Sequence, residues 1–374
     1  MKYGLPYKGS KNKLAERIVS LLPQADHLVD LFCGGCAVTH AALLRRKWPH
    51  VHINDIDWRP VTLFRDALAG RYQDETRWIS REDFQRSKDT DPYVAVVWSF
   101  GNNMRDYLYS QDIEPLKRAI HYAMFYGDYE PARELGHDLS FIDPIDDLQK
   151  RYLAVKHYFS RLGHFRQQSF EGGAELDCSP GVSREIQLQS WNMGGGQNTP
   201  TWSVRRPAEL QHLECRNRVG QFQKKKELQR IYGYHPIERR NNLLQIAIQG
   251  TSPLAARCGG QKWPLLTSSV GDYRDVEIPD GSVIYCDIPY EGTNVYDKSV
   301  QFDYEAFYDW CSRQTQPLFI SSYDMPADRF RCIEEFAHRS TLSASANNEV
   351  TERIFIPLHQ QPPSRPVQLS LWDE

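Results

Sequence analysis

Residues 283–292 read VIYCDIPYEG. An apolar run stops at a carboxylate, Asp287, and is followed by Ile288, Pro289 and Tyr290. Within four residues this supplies an anionic acceptor, a backbone carbonyl and an aromatic face, with Pro289 stiffening the turn that carries them. The three groups suit chemistry at the exocyclic amino group of a nucleobase. That nitrogen is a weak nucleophile because its lone pair is delocalised into the ring. Acceptors for its two hydrogens make it a better one, and an aromatic face holds a base that has left its helical stack. The plain alternative is a strand that ends in a proline turn with a core tyrosine.

Two further acids fall at the ends of candidate strands. HLVDLF (His27 to Phe32) contains Asp30 and runs into Gly34-Gly35, and VHIND (Val51 to Asp55) ends in Asp55. In an open parallel sheet, ligands sit beyond the carboxyl ends of the strands. A glycine pair lets backbone approach a ligand closely, and an acid about 20 residues later is placed to take ribose hydroxyls. A turn followed by a solvated aspartate would look the same. Cys33-Gly34-Gly35-Cys36 has no second cysteine pair or histidine pair at zinc spacing, so no metal site is expected. Gly194-Gly195-Gly196 lacks the Lys-Ser/Thr of a phosphate loop.

The elements that must position these groups follow an α/β rhythm. KNKLAERIVSLL (Lys11 to Leu22) has helical spacing and stops at Pro23, and AVTHAALLRRKW (Ala37 to Trp48) is a second helix between the two strands. The rhythm returns after about residue 265 with strand SVIYCD (Ser282 to Asp287), a helix from Tyr304 to Gln314 and strand PLFISSY. A helix is expected around Arg329 to Phe336. HRSTLSAS and VTERIFIP, flanking Ala346-Asn347-Asn348-Glu349, predict an antiparallel hairpin. The intervening stretch, roughly 200 residues, exceeds any ordinary loop. It holds aromatic helical segments, VAVVWSFGNNMRDYLYS and LQKRYLAVKHYFSRL, and a basic stretch from Thr201 to Arg240 with ten Lys or Arg against four Glu.

The chain of 374 residues, 40% apolar, is long enough for two domains. A net charge of −3 removes the simplest signal of nucleic-acid binding, so any basic face must be local. No run approaches the roughly 18 apolar residues of a membrane span. The opening Met1-Lys2-Tyr3-Gly4-Leu5-Pro6 lacks the apolar core of a secretion signal, and the eight scattered cysteines read as reduced thiols. A cytoplasmic protein is expected.

Taken in order, these motifs resemble the Dam-like DNA adenine-N6 methyltransferases. That family runs from an N-terminal cofactor segment to a glycine motif, a target-recognition insertion and then Asp-Pro-Pro-Tyr. LPYKGSKNKL resembles the N-terminal segment, which places Tyr7 and Lys11 against S-adenosyl-L-methionine. LVDLFCGGCAVTH resembles the glycine motif, with Asp30, Phe32, Gly34 and Gly35 around the cofactor, and NDID resembles the segment whose acid, here Asp55, takes the ribose. SVGDYRDV implies Asp272 and Tyr273 near the cofactor's adenine, and YCDIPYEGT matches the catalytic motif, with Asp287, Ile288, Pro289 and Tyr290. FISSYD and TERIFIP look like the family's later strands. Two positions depart from the pattern. Cys36 stands where a glycine is usual, and Ile288 replaces the first proline but keeps the carbonyl.

The resemblance implies a Rossmann-like α/β methyltransferase domain split over residues 1–65 and 265–358. A large, partly helical target-recognition insertion would span 66–264, and a flexible tail 359–374. It implies methyl transfer from S-adenosyl-L-methionine to adenine N6 in duplex DNA. N4-cytosine methylation, RNA adenine methylation and an inactive DNA-binding relative are the alternatives. Arg205, Arg206, Arg216, Arg218, Lys224, Lys225, Lys226, Arg239 and Arg240 are the expected phosphate contacts, against the simpler reading of a solvated charged face. In the tail, Gln368, Leu369, Leu371 and Trp372 form QLSLW, which resembles the peptide that grips the bacterial replication sliding clamp. It follows Pro362, Pro363 and Pro366, which favour an extended chain.

Overall fold

The computed structural model describes residues 3–171, 235–251, 263–290, 302–339 and 349–363. They fall into two compact units. The first takes residues from 1–75, 81–107 and 239–374, and the second from 76–80 and 108–238.

The first unit is built on seven strands: β1 (His27–Asp30), β2 (His50–Asp55), β3 (Leu265–Val270), β4 (Ser282–Asp287), β5 (Leu318–Ser322), β6 (Phe330–Arg339) and β7 (Glu349–Pro357). Their order is β3-β2-β1-β4-β5-β7-β6. The first five in that order are parallel, while β7 runs antiparallel to β5 and to β6. This is the expected α/β, Rossmann-like methyltransferase architecture. From β1 the chain winds outward through β2 to β3, then returns to β4 on the other side of β1. A topological switch point therefore lies between the carboxyl ends of β1 and β4, where such sheets bind ligands.

Why these segments form strands is plain from their burial. β4 is buried from Ser282 to Cys286 and β5 throughout, as expected of central parallel strands covered on both faces. Side chains two residues apart share a face, so Val29 and Leu31, Ile284, Cys286 and Ile288, and Leu318 and Ile320 line one core. Phe307, Trp310 and Cys311 of a helix at Tyr304–Ser312 belong to the same core. Ahead of β2 and after it lie α1 (Ala15–Leu21), α2 (Ala37–Arg45) and α3 (Trp58–Leu68). Asp57 caps α3 by accepting from the Arg59 N–H at 3.0 Å. Two shorter helices, α4 (Arg81–Ser87) and α5 (Pro92–Val97), complete this part.

The described part of the second unit is helical. It contains α6 (Glu114–Tyr126), α7 (Glu130–Glu134) and α8 (Leu148–Glu171), the last as LQKRYLAVKHYFSRL predicts. α6 stops at Gly127, whose φ of +67° gives the left-handed cap that glycine adopts without strain. α9 (His235–Thr251) begins in this unit and continues in the first, and α10 is the helix at Tyr304–Ser312.

Several expectations need correction. The segment around Arg329 to Phe336 is strand β6, not a helix, and the hairpin pairs β6 with β7, so its first strand starts well before His338. VAVVWSFGNNMRDYLYS is helical only to Val97. Beyond it, Gly101, Asn102 and Met104 all take left-handed φ in a loop closed by a Ser99–Tyr107 bridge. Among the described residues, 66–75, 81–107, 239–251 and 263–264 group with the sheet. At the other end, Gln360 accepts from the Leu318 N–H at 2.9 Å and donates to the carbonyls of Gln314 and Gln316, so 359–360 are tied to the sheet. No helix among the described residues is long and apolar enough to cross a membrane.

Candidate active site

Asp30, Asp55 and Asp287 all end adjacent parallel strands, as their positions in the sequence predict. β1 feeds a turn in which the Cys33 N–H donates to the Asn54 carbonyl at 3.0 Å and the Cys36 N–H to the Cys33 carbonyl at 2.6 Å. Gly34 (φ +43°) then donates its N–H to Asp55 Oδ2 at 2.8 Å. Asp55 Oδ1 accepts from the Asp57 N–H at 2.9 Å. Burial pushes Asp55 up to about 6 in spite of those two donors.

The N-terminal segment closes over this turn. Leu5 donates its N–H to the Gly35 carbonyl at 2.7 Å, and Gly4 donates to His40 Nδ1 at 3.0 Å. A Cβ on Gly35 would lie 2.5 Å from Tyr7 Cβ, and one on Gly34 would meet the Tyr7 ring at 3.1 Å. Tyr7 therefore packs on the glycine pair. Asn54 holds the floor: its Nδ2 donates to the carbonyls of Leu31 and Gly271, and its Oδ1 accepts from Ser269 at 2.8 Å. The sequence offered no signal for this buried amide beyond its place beside Asp55.

Asp30 accepts from the Thr39 hydroxyl at 2.6 Å through Oδ2, while the buried Oδ1 has no hydrogen-bond partner. Burial first, and then the charges of Asp287 and Asp55, push it up to about 7 against the Thr39 bond. An orphaned acceptor in such a place fits a cationic group. The glycine turn fits a group that needs close backbone approach, and Asp55 fits a ribose. Beside Asp55 stand two apolar side chains that sequence reasoning missed, Ile56 (68% exposed) and Val270 (50% exposed). They could flank a planar heterocycle. The donor set thus fits S-adenosyl-L-methionine.

At the end of β4 the arrangement is tighter than the sequence suggests. Lys11 reaches the carboxylate there. Its buried ammonium lies 2.7 Å from Asp287 Oδ1 and 2.9 Å from Glu352 Oε1 of β7. Burial works to lower Lys11, but the two carboxylates outweigh it and hold the ammonium charged. The Tyr290 hydroxyl donates to Glu352 and lies 3.3 Å from Asp287 Oδ1. Its ring has the Lys11 ammonium over it at 4.9 Å and the Tyr323 ring at 4.3 Å. Burial raises Asp287, with Lys11 opposing and Glu352 adding to the rise. Both described partners of Asp287 take Oδ1. Tyr304 donates to the Pro289 carbonyl at 3.0 Å, which fixes the turn that Pro289 begins.

The remaining expected residues separate. Tyr273 is buried among Phe32, Phe302, Phe307 and Trp310, so it backs Phe32 as a core ring. Asp272 caps the short turn after β3 and chelates the Arg274 guanidinium, which holds its carboxyl below the ordinary range. Arg239 donates to the carbonyls of Val97 and Ser99, and Arg240 to those of Glu75 and Gln73. Both are buried, so both guanidinium groups are turned to the chain's own backbone rather than outward. Arg205, Arg206, Arg216, Arg218, Lys224, Lys225 and Lys226 lie outside the described residues, as do Gln368, Leu369, Leu371 and Trp372.

Residues 7–129 match the family described as D12 class N6 adenine-specific DNA methyltransferase. The match bears out the resemblance seen in the motifs and the methyltransferase fold expected with it, and it supports adenine-N6 methylation of DNA as the general activity. It covers Tyr7, Lys11, Asp30, the glycine turn and Asp55 and ends before Asp287, so the second half of the site rests on geometry. A comparison with curated proteins finds no match.

The raised Asp30 carboxyl gives a stability prediction. Its folded-state value lies above its unfolded value, so the folded chain binds the proton more tightly and gains stability as pH falls from about 7. Asp30→Asn keeps an acceptor for Thr39 and removes the buried charge. At pH 8 its Tm should equal or exceed that of the wild type, by about 2–4 °C per kcal/mol relieved, and its gain on acidification to pH 5 should be smaller. A clearly lower Tm at pH 8 would show that the carboxylate is held by a partner.

Proposed function

We propose that this chain transfers the methyl group of S-adenosyl-L-methionine to N6 of an adenine flipped out of duplex DNA. The observation that carries the reading is the state of Asp287. Lys11 and Tyr290 both engage Oδ1, which leaves Oδ2 as the acceptor a substrate amino group can use. S-adenosyl-L-methionine, when bound, supplies a methyl group already activated by its sulfonium. Asp30, Gly34, Gly35, Asp55 and Tyr7 would hold it, with Ile56 and Val270 beside its base.

The chain's own residues then do three things. Asp287 Oδ2 accepts one amino hydrogen and the Ile288 carbonyl the other, which orients the nitrogen lone pair out of the base plane. Asp287 acts as an acceptor rather than a strong base, and once the new bond has made the nitrogen acidic the hydrogen-bonded proton passes to the Asp287 carboxylate and on to solvent. Lys11 keeps Asp287 ionised in a place where burial would otherwise neutralise it. Tyr290 offers its ring to the displaced base. Stacking contributes about 1–3 kcal/mol, which offsets part of the few kcal/mol that unstacking costs. For that the ring must present a face that otherwise lies against Lys11 and Tyr323.

The finer parts of this reading lie in two segments outside the described residues. Arg205, Arg206, Arg216, Arg218 and Lys224 to Lys226 would neutralise phosphates. Gln368, Leu369, Leu371 and Trp372 would dock on a bacterial sliding clamp and concentrate the protein on newly replicated DNA.

Transfer of radiolabelled methyl onto duplex DNA, followed by nucleoside analysis, tests the main reading. We expect N6-methyladenine, with Asp287→Ala and Tyr290→Ala each lowering turnover at least 100-fold while the fold is kept. N4-methylcytosine as the product, or near wild-type turnover by Asp287→Ala, overturns it. Neutralising Lys224, Lys225 and Lys226 together should weaken DNA binding for all sequences and flatten its salt dependence, and an unchanged slope would remove them from the interface. Purified clamp should be retained by the full chain and lost on truncation after Pro366. Equal recovery by both, or by neither, defeats the docking role.

A further inference from the structure

We infer that Glu352 is a positioning residue of the active site, holding Lys11 and Tyr290 in the places from which they act on Asp287. The inference rests on the proposed function for what Asp287 does, but its geometry stands alone. Glu352 lies on β7, two strands from β4 in the sheet, and its side chain is 6% exposed. Its Oε1 accepts from both the Lys11 ammonium, at 2.9 Å, and the Tyr290 hydroxyl. A buried carboxylate is costly unless it is paired, and this one is paired with two groups that also touch Asp287.

The four links form a closed figure. Lys11 bridges Asp287 and Glu352, and Tyr290 bridges the same two carboxylates from the other side. Without Glu352, nothing in that figure sets the azimuth of Lys11 about Asp287. Its ammonium could turn to engage Oδ2, the oxygen that the substrate needs. Tyr290 would also lose its stronger hydroxyl partner, and with it the fixed start of its ring. Glu352 therefore keeps one edge of Asp287 occupied and the other available.

Glu352 is also a negative charge close to the acid. The titratable groups that feel it are Lys11 from the N-terminal segment, Asp287, Tyr285 and Tyr290 from β4 and its turn, and Tyr323 after β5. Of these, Lys11 is held charged, and the three tyrosines stay neutral because burial raises each of them. Asp287 is the group left to titrate in the acid range, and Glu352 pushes it up. Removing that charge must let Asp287 ionise at lower pH.

The test compares Glu352→Gln and Glu352→Ala with the wild type in kcat, in KM for cofactor and in pH profile. Tyr290 is followed by NMR of the chain labelled at tyrosine Cζ and assigned with Tyr290→Phe. Glutamine keeps an acceptor and loses the charge. It should hold kcat within about threefold at pH 7.5, leave the Tyr290 signal near its place, and move the acid limb to lower pH. Alanine should lower kcat at least tenfold with KM for cofactor unchanged, and should move the Tyr290 signal. Wild-type kcat and an unmoved Tyr290 signal in Glu352→Ala overturn the inference. So does an equal loss in both variants accompanied by a lowered Tm, which marks a structural residue. If the wild type transfers no methyl group, the function proposed above fails, and the Tyr290 signal still decides whether Glu352 holds that ring.

Discussion

One constraint governs the site: a doubly wound sheet delivers several carboxylates to one dry place. Asp30, Asp55 and Asp287 end neighbouring strands because parallel strands all point their carboxyl ends the same way. Like charges brought together out of water raise one another, and each of these acids is raised. The chain meets the difficulty differently at each position. Asp55 is fed by backbone N–H groups and Asp287 by an ammonium, while Asp30 keeps one oxygen unsatisfied. Asp55 is the most fully satisfied of the three, with a backbone donor on each oxygen, and Asp30 the least. A buried acceptor left without a donor costs the folded chain stability.

Much of this was legible in the sequence because the governing patterns are local. SVIYCD is β4 residue for residue, and HLVD, the glycine pair and VHIND fall where a first βαβ unit requires them. What was illegible is long-range. Glu352 joins Tyr290 from 62 residues away, through an antiparallel strand whose register no local spacing reveals. Lys11, which the motif resemblance places at the cofactor, gives no local sign that its long side chain pairs with the acid at the end of β4. The β6 error has a physical origin as well. Phe330, Ile333 and Phe336 recur every third residue, which mimics a helical stripe. The strand carries a bulge between Cys332 and Glu334, which shifts the register by one and breaks the two-residue alternation that would have marked it as a strand.

The basic stretch shows why charge runs are weak signals. Arg239 and Arg240 end the run of ten, and each spends its guanidinium on two carbonyls of a loop that helix geometry leaves open. A fork of five donors satisfies buried carbonyls as readily as phosphates, and sequence alone does not separate the two uses. Burial does.

The two departures from the family's motifs, Cys36 and Ile288, share an explanation in packing. Cys36 sits at φ +55°, ahead of α2, where a glycine would be unstrained and an L residue loses roughly 1–2 kcal/mol. Its side chain is wholly buried, so packing opposes that strain, and the backbone still makes the turn that Gly34 and Gly35 need. Ile288 likewise turns its side chain into the core with Ile284 and Ile320. A proline there would have stiffened the turn from within the chain. The isoleucine stiffens it by anchoring to the sheet, with Pro289 and its bond from Tyr304 completing the job. At both positions the side chain changes on the face that meets the core, and the backbone atoms that face the site are kept. Such substitutions alter how the site is supported.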